Sequence, residues 1–251
     1  MKSLGKSRIS IYRIARAALL EGFAKLHAMK KAVAIVSGGL DSVTLAHVLA
    51  AQGYELQLLA FDYGQKHRKE LEFARACAAR FKASFDVVDL TSLAPLLGNN
   101  ALTDARVAVP HGHYAAQNMA ITVVPNRNAI FLSLAYGAAV ARGAQLVGIG
   151  VHGGDRFVYP DCRPGFIESF ETMQKLAVEG FGDADLKLYA PFLKTDKTGI
   201  VVQGAKLGVD FSQTWSCYEG GEIHCGQCGT CHERKEAFAL AKVGDPTIYA
   251  T

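Results

Sequence analysis

The stretch AVAIVSGGLDS, residues 32–42, places an apolar run directly before a cluster of small polar residues. The apolar run is typical of a buried strand, and a helical pattern follows Ser42. Glycines and serines let backbone N–H groups close around an anion, and the helix start adds the positive end of its dipole. The stretch therefore predicts a strand, a phosphate-binding loop and a helix. The alternative is an ordinary turn with a serine as the helix cap.

Length and composition favour one enzyme-sized α/β domain. The chain has 251 residues, of which 50% are hydrophobic, so it can bury one sizeable core. Its formal net charge of +4 is too weak to indicate a nucleic-acid partner without a clustered basic face. No stretch is apolar for long enough to span a membrane, so we expect a cytoplasmic protein.

The first 28 residues differ from the rest because basic and apolar residues alternate there and the first acidic residue is Glu21. We interpret residues 1–28 as a dispensable amphipathic extension and residues 29–251 as the main domain. A transit-like peptide is the alternative interpretation of this segment.

From residue 30 onward, strand and helix signals alternate as a doubly wound, mostly parallel sheet requires. We predict strands over 32–36, 56–61, 85–89 and 145–151, and helices over 67–81, 127–141 and 166–178. In such sheets ligands bind beyond the carboxyl ends of the strands. Ser37, Asp62 and His152 should therefore lie at one edge of the sheet.

Two polar loops supply candidates for substrate binding. VVPNRN, residues 123–128, opens an apolar helix, and Arg127 there can hold a phosphate or carboxylate in a bidentate fork. GVHGGDRFVYPDCRP, residues 150–164, follows a strand and is rich in polar residues, which is typical of a small-molecule site. The alternatives are a solvated Arg127 and a role for Asp161 as cap of the helix near Pro164. We interpret Cys162 as pocket lining.

Four cysteines near the end of the chain follow the pattern C-x7-C-x2-C-x2-C: Cys217, Cys225, Cys228 and Cys231. Four thiolates at this spacing can surround one tetrahedral zinc ion and leave no open coordination position. The C-x2-C-x2-C run is too tight for two unstrained disulfides. A redox pair or an iron–sulfur cluster is the alternative, and we favour structural zinc.

The loop SGGLDS between a strand and a helix resembles the pyrophosphate-binding loop of the PP-loop superfamily of adenylating enzymes. FDYGQKH (61–67), HGHY (111–114), VVPNRN, GVHGGD, YPDCRP and the cysteine segment after WSC (215–217) follow it in order. In this combination the chain, from Met29 to about Phe238, resembles the 7-cyano-7-deazaguanine synthase family of queuosine biosynthesis.

The resemblance implies an adenine nucleotide alpha hydrolase-like fold with a C-terminal zinc-binding segment. It implies an ATP-dependent ligase that forms a C–N bond, converting 7-carboxy-7-deazaguanine and ammonia first to an amide and then to the nitrile. ATP with Mg²⁺, one structural zinc per subunit and a homodimer are implied as well. No direct binding of nucleic acid and no membrane association are expected.

The resemblance also implies site residues. The phosphate loop is Ser37, Gly38, Gly39, Leu40, Asp41 and Ser42, and the zinc ligands are the four cysteines. Asp41, Arg127 and Asp161 are the implied catalytic residues, and Asn126, Arg127, Asp161 and Arg163 are the implied substrate contacts. Lys194 resembles a further phosphate-facing position.

The chain departs from the family pattern in two places. Gly165 stands where Glu usually follows the C-R-P motif, so Asp161 or Glu168 would have to replace that carboxylate if it contacts the substrate. Glu219 stands where a basic residue is common. Two other functions stay open on the sequence: another PP-loop enzyme such as a tRNA thiolase, and a non-catalytic zinc-containing RNA-binding or regulatory protein.

Overall fold

A computed structural model describes residues 29–98, 100–114 and 119–251. The predicted extension over residues 1–28 lies outside the described residues. Lys31–Thr251 form one structural unit. The fold of this unit determines where the candidate site lies.

Five parallel strands form one sheet in the order β3-β2-β1-β4-β5. Their bounds are β1 Lys31–Ile35, β2 Glu55–Asp62, β3 Ser84–Asp89, β4 Leu146–Gly148 and β5 Lys187–Tyr189. In the central register, Val33 of β1 lies opposite Gln57 of β2 and Val147 of β4. The strand order reverses between β1 and β4, which opens a crevice at their carboxyl ends.

Helices cover both faces of the sheet. They are α1 Leu40–Ala51, α2 Glu70–Phe81, α3 Arg127–Arg142, α4 Pro164–Ala177, α5 Lys197–Lys206 and α6 Gly229–Ala241. Leu45, Ile200 and Phe238 from α1, α5 and α6 belong to the apolar core on one face. Leu132 and Phe170 from α3 and α4 belong to the core on the other. The predicted doubly wound parallel fold is confirmed.

The strand predicted over 145–151 is shorter than expected. β4 ends at Gly148, and the chain then crosses the start of α1, where a Cβ on Gly150 would lie 3.2 Å from the Ser42 backbone nitrogen. Because residues 149–151 pass over the N-terminus of α1, they do not extend the pairing of β4 with β1. Sequence analysis also missed β5, α5 and α6, because their short or weakly periodic patterns carry little local signal. Within the described ranges, no helix is long and apolar enough to cross a membrane.

Candidate active site and metal centre

The loop over residues 37–42 connects β1 to α1 at the centre of the sheet. Gly38 has a φ of +96°, and a Cβ there would lie 2.1 Å from the Glu70 carbonyl oxygen, so only glycine fits. The residue before α1 is Gly39, and no side chain caps the helix. The alternative of a serine-capped turn is therefore wrong. The first N–H groups of α1 are left for an anionic ligand.

A cavity of about 200 Å³ opens beside this loop and is called the switch-point cavity below. Its walls come from the ends of β1 and β2, from the segments around residues 149–162 and 215–218, and from α1, α2, α3, α5 and α6. Ser37, Gly39, Leu40, Asp41 and Ser42 line it, whereas Gly38 turns toward α2. The phosphate role of this loop stays a prediction, and its position suits that role.

Arg127 lies in the wall of the switch-point cavity. Its Nη1 donates to the Tyr63 hydroxyl over 3.4 Å, and its guanidinium carbon lies 5.9 Å from the centroid of the Tyr63 ring. Among the residues that the structure describes, no carboxylate forms an ion pair with Arg127. The cavity thus presents a guanidinium that a ligand carboxylate or phosphate can neutralise.

Asn126, Asp161 and Arg163 lie outside the cavity lining. The Asp161 carboxylate accepts a hydrogen bond of 3.0 Å from the backbone N–H of Asn128, in the first turn of α3. The alternative that Asp161 caps the helix near Pro164 is wrong, because Arg163 holds the cap position there and offers no side-chain bond. The substrate roles of Asn126, Asp161 and Arg163 stay predictions without support from their positions.

Lys197, rather than Lys194, reaches the cavity. Its Nζ lies 3.2 Å from an Asp41 carboxylate oxygen and 2.8 Å from a Glu233 carboxylate oxygen. Burial alone would lower the pKa of Lys197, but the charges of Asp41 and Glu233 outweigh burial and raise it, so the ammonium stays charged. Lys194 is exposed.

Sequence reasoning missed Lys197 although a local signal was present. Asp196 accepts a hydrogen bond of 2.9 Å from the Gly199 N–H and so begins α5, which fixes Lys197 in the first turn. His152, fully buried, lies 3.4 Å from an Asp155 carboxylate oxygen and 3.9 Å from Asp41. Lys197 of α5 and His152 of the loop after β4 therefore lie beside Asp41, and Lys197 links it to Glu233 of α6.

The four sulfur atoms of Cys217, Cys225, Cys228 and Cys231 all lie within 4.8 Å of one another and form the four-cysteine cluster. Backbone N–H groups point at these sulfurs, including Cys225 N–H toward Cys217 Sγ at 3.3 Å. All six cysteines of the chain are free thiols. The donor set and its spacing fit a single metal ion, and the cluster can bind one.

The four-cysteine cluster is joined to the cavity by the chain around it. Trp215 donates its backbone N–H to the Gly38 carbonyl over 2.9 Å. The fully buried Arg234 donates to the Thr214 hydroxyl and to the Phe211 carbonyl over 2.8 and 2.9 Å. Cys228 directly precedes α6, and Cys231 and Glu233 lie in its first turns, so order in the cluster helps to form one wall of the cavity.

The two departures from the family pattern lie away from the cavity. Gly165 is exposed, and a Cβ at this position would meet no atom within 4 Å. Glu219 pairs with His111 over 2.9 Å at the surface. Glu168, named above as a substitute acceptor, is also exposed. The lining of the cavity is therefore independent of both departures.

Glu70 lies in the cavity wall and is 8% exposed. Burial raises the pKa of its carboxyl to about 8, and Gln65 and Arg127 oppose that shift only in part. Burial also lowers the pKa of the neighbouring His67 to about 3, so that imidazole is neutral at physiological pH. Both groups are missed by sequence reasoning, because their burial depends on tertiary packing.

The free energy of unfolding is expected to depend on pH through Glu70. The folded state keeps a proton that the unfolded chain releases near its ordinary pKa of 4.5, so this carboxyl makes the free energy of unfolding fall as pH rises from about 4.5 to about 8. Urea unfolding at several pH values, compared between the ligand-free wild type and Glu70→Gln, measures this contribution. His67 adds the opposite slope below pH 6.5 in both proteins and cancels in the comparison. Parallel curves would contradict the expectation.

Comparison with known proteins gives relatives over most of the chain. Residues 31–242 match the family described as Queuosine biosynthesis protein QueC. A curated 7-cyano-7-deazaguanine synthase from Rhizobium johnstonii is 56% identical over 219 residues, covering 87% of this chain and 92% of the relative. One from Ruegeria sp. (strain TM1040) is 56% identical over 221 residues, covering 88% and 93%.

Solved structures give a more distant likeness. The NMN synthetase of Francisella tularensis is 13% identical, with a TM-score of 0.48, over 90% of this chain and 82% of that chain. The family match, in contrast, spans all five strands, the loop at residues 37–42 and the four-cysteine cluster.

Proposed function

The chain belongs to the QueC family of queuosine biosynthesis proteins, and on that premise we propose how its cavity performs the reaction. It is an ATP-dependent enzyme that forms 7-cyano-7-deazaguanine. The proposed substrates are 7-carboxy-7-deazaguanine, ATP and ammonia. A tRNA thiolase or a non-catalytic RNA-binding protein is not favoured, since the relatives carry the synthase name.

One observation carries the proposal: a single cavity holds both an uncapped helix N-terminus and a guanidinium without a carboxylate partner among the described residues. The N-terminus of α1 suits the phosphates of ATP, and Arg127 suits the substrate carboxylate. Two anionic groups bound side by side are what a carboxylate-activating enzyme has to bring together.

The chemistry follows from the carboxylate. Its oxygen becomes part of a leaving group when ATP transfers a phosphoryl or adenylyl group to it, and ammonia then displaces that group to give an amide. A second activation of the amide oxygen, followed by loss of two protons and the activated oxygen, leaves the nitrile. We propose that Ser37, Ser42 and the first N–H groups of α1 hold the phosphates, and that Lys197 offsets their charge.

We propose Mg²⁺ and zinc as the metals. Asp41 lies at the phosphate loop with one carboxylate oxygen that has no hydrogen-bond partner in the described chain, and a hard oxygen ligand suits Mg²⁺. Four thiolates without an open position suit structural zinc, which would hold the segment around Trp215 in place. Mg²⁺ held by Asp41 would neutralise part of the negative charge on the ATP phosphates.

A cytoplasmic homodimer is proposed from the family resemblance. Free thiolates for a metal need a reducing compartment, which supports a cytoplasmic location. Met173 and Leu176 are exposed on α4 and supply apolar surface for a second copy. We also propose that residues 1–28 are dispensable. A single copy by light scattering would contradict the dimer.

The decisive experiment is mass spectrometry of the product after the full chain is incubated with ATP, Mg²⁺, ammonium and 7-carboxy-7-deazaguanine. The expected result is a product whose mass matches the nitrile and whose formation requires ATP. Accumulation of the amide alone would leave the first activation in place and contradict the second. No reaction by a folded, metal-loaded protein would overturn the substrate assignment.

A further inference from the structure

Glu70 is buried in the same cavity as Arg127, and the mechanism above does not use it. We infer that the Glu70 carboxylate accepts the N–H groups on the aminopyrimidinone edge of the substrate and so selects guanine-like bases. This inference rests on the proposed function and adds a specificity-determining residue to it.

The first line of support is the free acceptor capacity of Glu70. Gln65 Nε2 donates to Glu70 Oε1 over 3.1 Å, and His67 Nε2 lies 3.5 Å from the same oxygen. Among the residues that the structure describes, no hydrogen bond or ion pair reaches the other carboxylate oxygen, Oε2. Without a ligand this buried carboxyl has few donors around it and keeps its proton. Two N–H donors from a ligand favour the ionised form, so Glu70 releases its proton to solvent on binding and accepts both N–H groups as a carboxylate.

The second line of support is that each of the other acids of the cavity wall lies within ion-pair distance of a basic side chain. Asp41 and Glu233 share Lys197, and Asp155 lies 3.4 Å from His152. Among the lining acids, Glu70 is the one whose only basic neighbour within ion-pair distance in the described part of the chain is the neutral His67. Asp161, the acceptor expected from the sequence, instead holds the start of α3.

The third line of support is the match between the cavity and the two ends of the substrate. The ring carries N1–H and a 2-amino group side by side on one edge and a carboxylate on its other ring. A carboxylate accepts two such parallel donors, and a guanidinium binds a carboxylate in the same forked manner. Both side chains line the same cavity. A single ligand with N–H donors at one edge and a carboxylate at the other can therefore bind Glu70 and Arg127 at the same time.

Aromatic side chains in the lining of the same cavity offer a face for the flat ring. Phe61 and Phe131 stack with their centroids 4.0 Å apart, and the Tyr63 ring lies 5.6 Å from Phe131. All three line the cavity. Offset stacking on such a surface is compatible with any planar base, so selection among bases falls to the polar edge that Glu70 reads.

Glu70→Gln tests the inference, because the amide keeps the shape but replaces an acceptor with a donor. The KM for 7-carboxy-7-deazaguanine is expected to rise about tenfold or more, while the KM for ATP stays within about twofold. Glu72→Gln, an exposed carboxylate on the same helix, is the matched control and should change neither. A rise in the KM for ATP alone would mean that Glu70 reads adenine and would overturn the inference.

An analogue without the 2-amino group gives a second readout. The wild type is expected to prefer the natural substrate over this analogue by about tenfold or more in kcat/KM, and Glu70→Gln should lose most of that preference. Equal preference in both proteins would overturn the inference. If the glutamine variant fails to fold, Glu70→Asp should show the same loss of substrate affinity, because the shorter side chain keeps the carboxylate but holds it farther from the ligand. Failure of the wild type to form the nitrile would instead contradict the proposed function itself.

Discussion

Asp41→Asn is expected to reduce nitrile formation by about 10³-fold or more while the protein stays folded. One Asp41 oxygen lies 3.2 Å from Lys197 Nζ, and the other has no hydrogen-bond partner in the described chain. Asparagine removes the charge that would bind Mg²⁺ beside the phosphates. Product mass spectrometry under saturating ATP measures the loss.

Stability is expected to change little in this variant. Glu233 still holds Lys197 over 2.8 Å, so no buried cation is left without a partner. Thermal unfolding should match the wild type within a few degrees. Asp185→Asn, an exposed substitution, serves as the control and should keep full activity. Turnover retained by Asp41→Asn would refute the placement of ATP at this loop.

Local sequence is sufficient for the part of the site that lies on one continuous stretch. The loop at residues 37–42 is predictable because strand, glycines and helix start follow each other in the chain. The four cysteines are predictable for the same reason, since three of them lie within seven residues. Such features depend on spacing along the chain, which the sequence displays directly.

Residues that acquire their role from packing could not be predicted. Glu70 is the first residue of an amphipathic helix, and only the fold reveals that this end is covered and faces the cavity. The sequence alone gives no reason to prefer Lys197 over Lys194 as the cavity residue. Lys197 reaches the cavity because it is the first residue of the helix that begins after Asp196. For Asp161 the motif predicts a substrate contact, but in the structure its carboxylate accepts the backbone N–H of Asn128 at the start of α3.

Cys228→Ser is expected to abolish metal binding and to lower the melting temperature by about 10 °C or more. Cys228 is fully buried and stands directly before α6, so a hydroxyl there replaces a thiolate at the centre of the four-cysteine cluster. Binding of a structural metal contributes its free energy to folding, and three thiolates hold it far less tightly than four. Metal analysis of the purified protein and thermal unfolding measure the two effects.

The same substitution should also weaken the active site, because the cluster and the cavity share one wall. Once the segment around residues 215–231 loosens, Trp215 no longer holds the Gly38 carbonyl, and Glu233 no longer holds Lys197. Cys77→Ser is the matched control: this buried thiol lies outside the cluster, so its loss should cost some stability while metal content stays at the wild-type value. Full metal content in Cys228→Ser would contradict the assignment of the four cysteines as one site. Loss of metal with unchanged stability and activity would contradict the structural link between the cluster and the cavity.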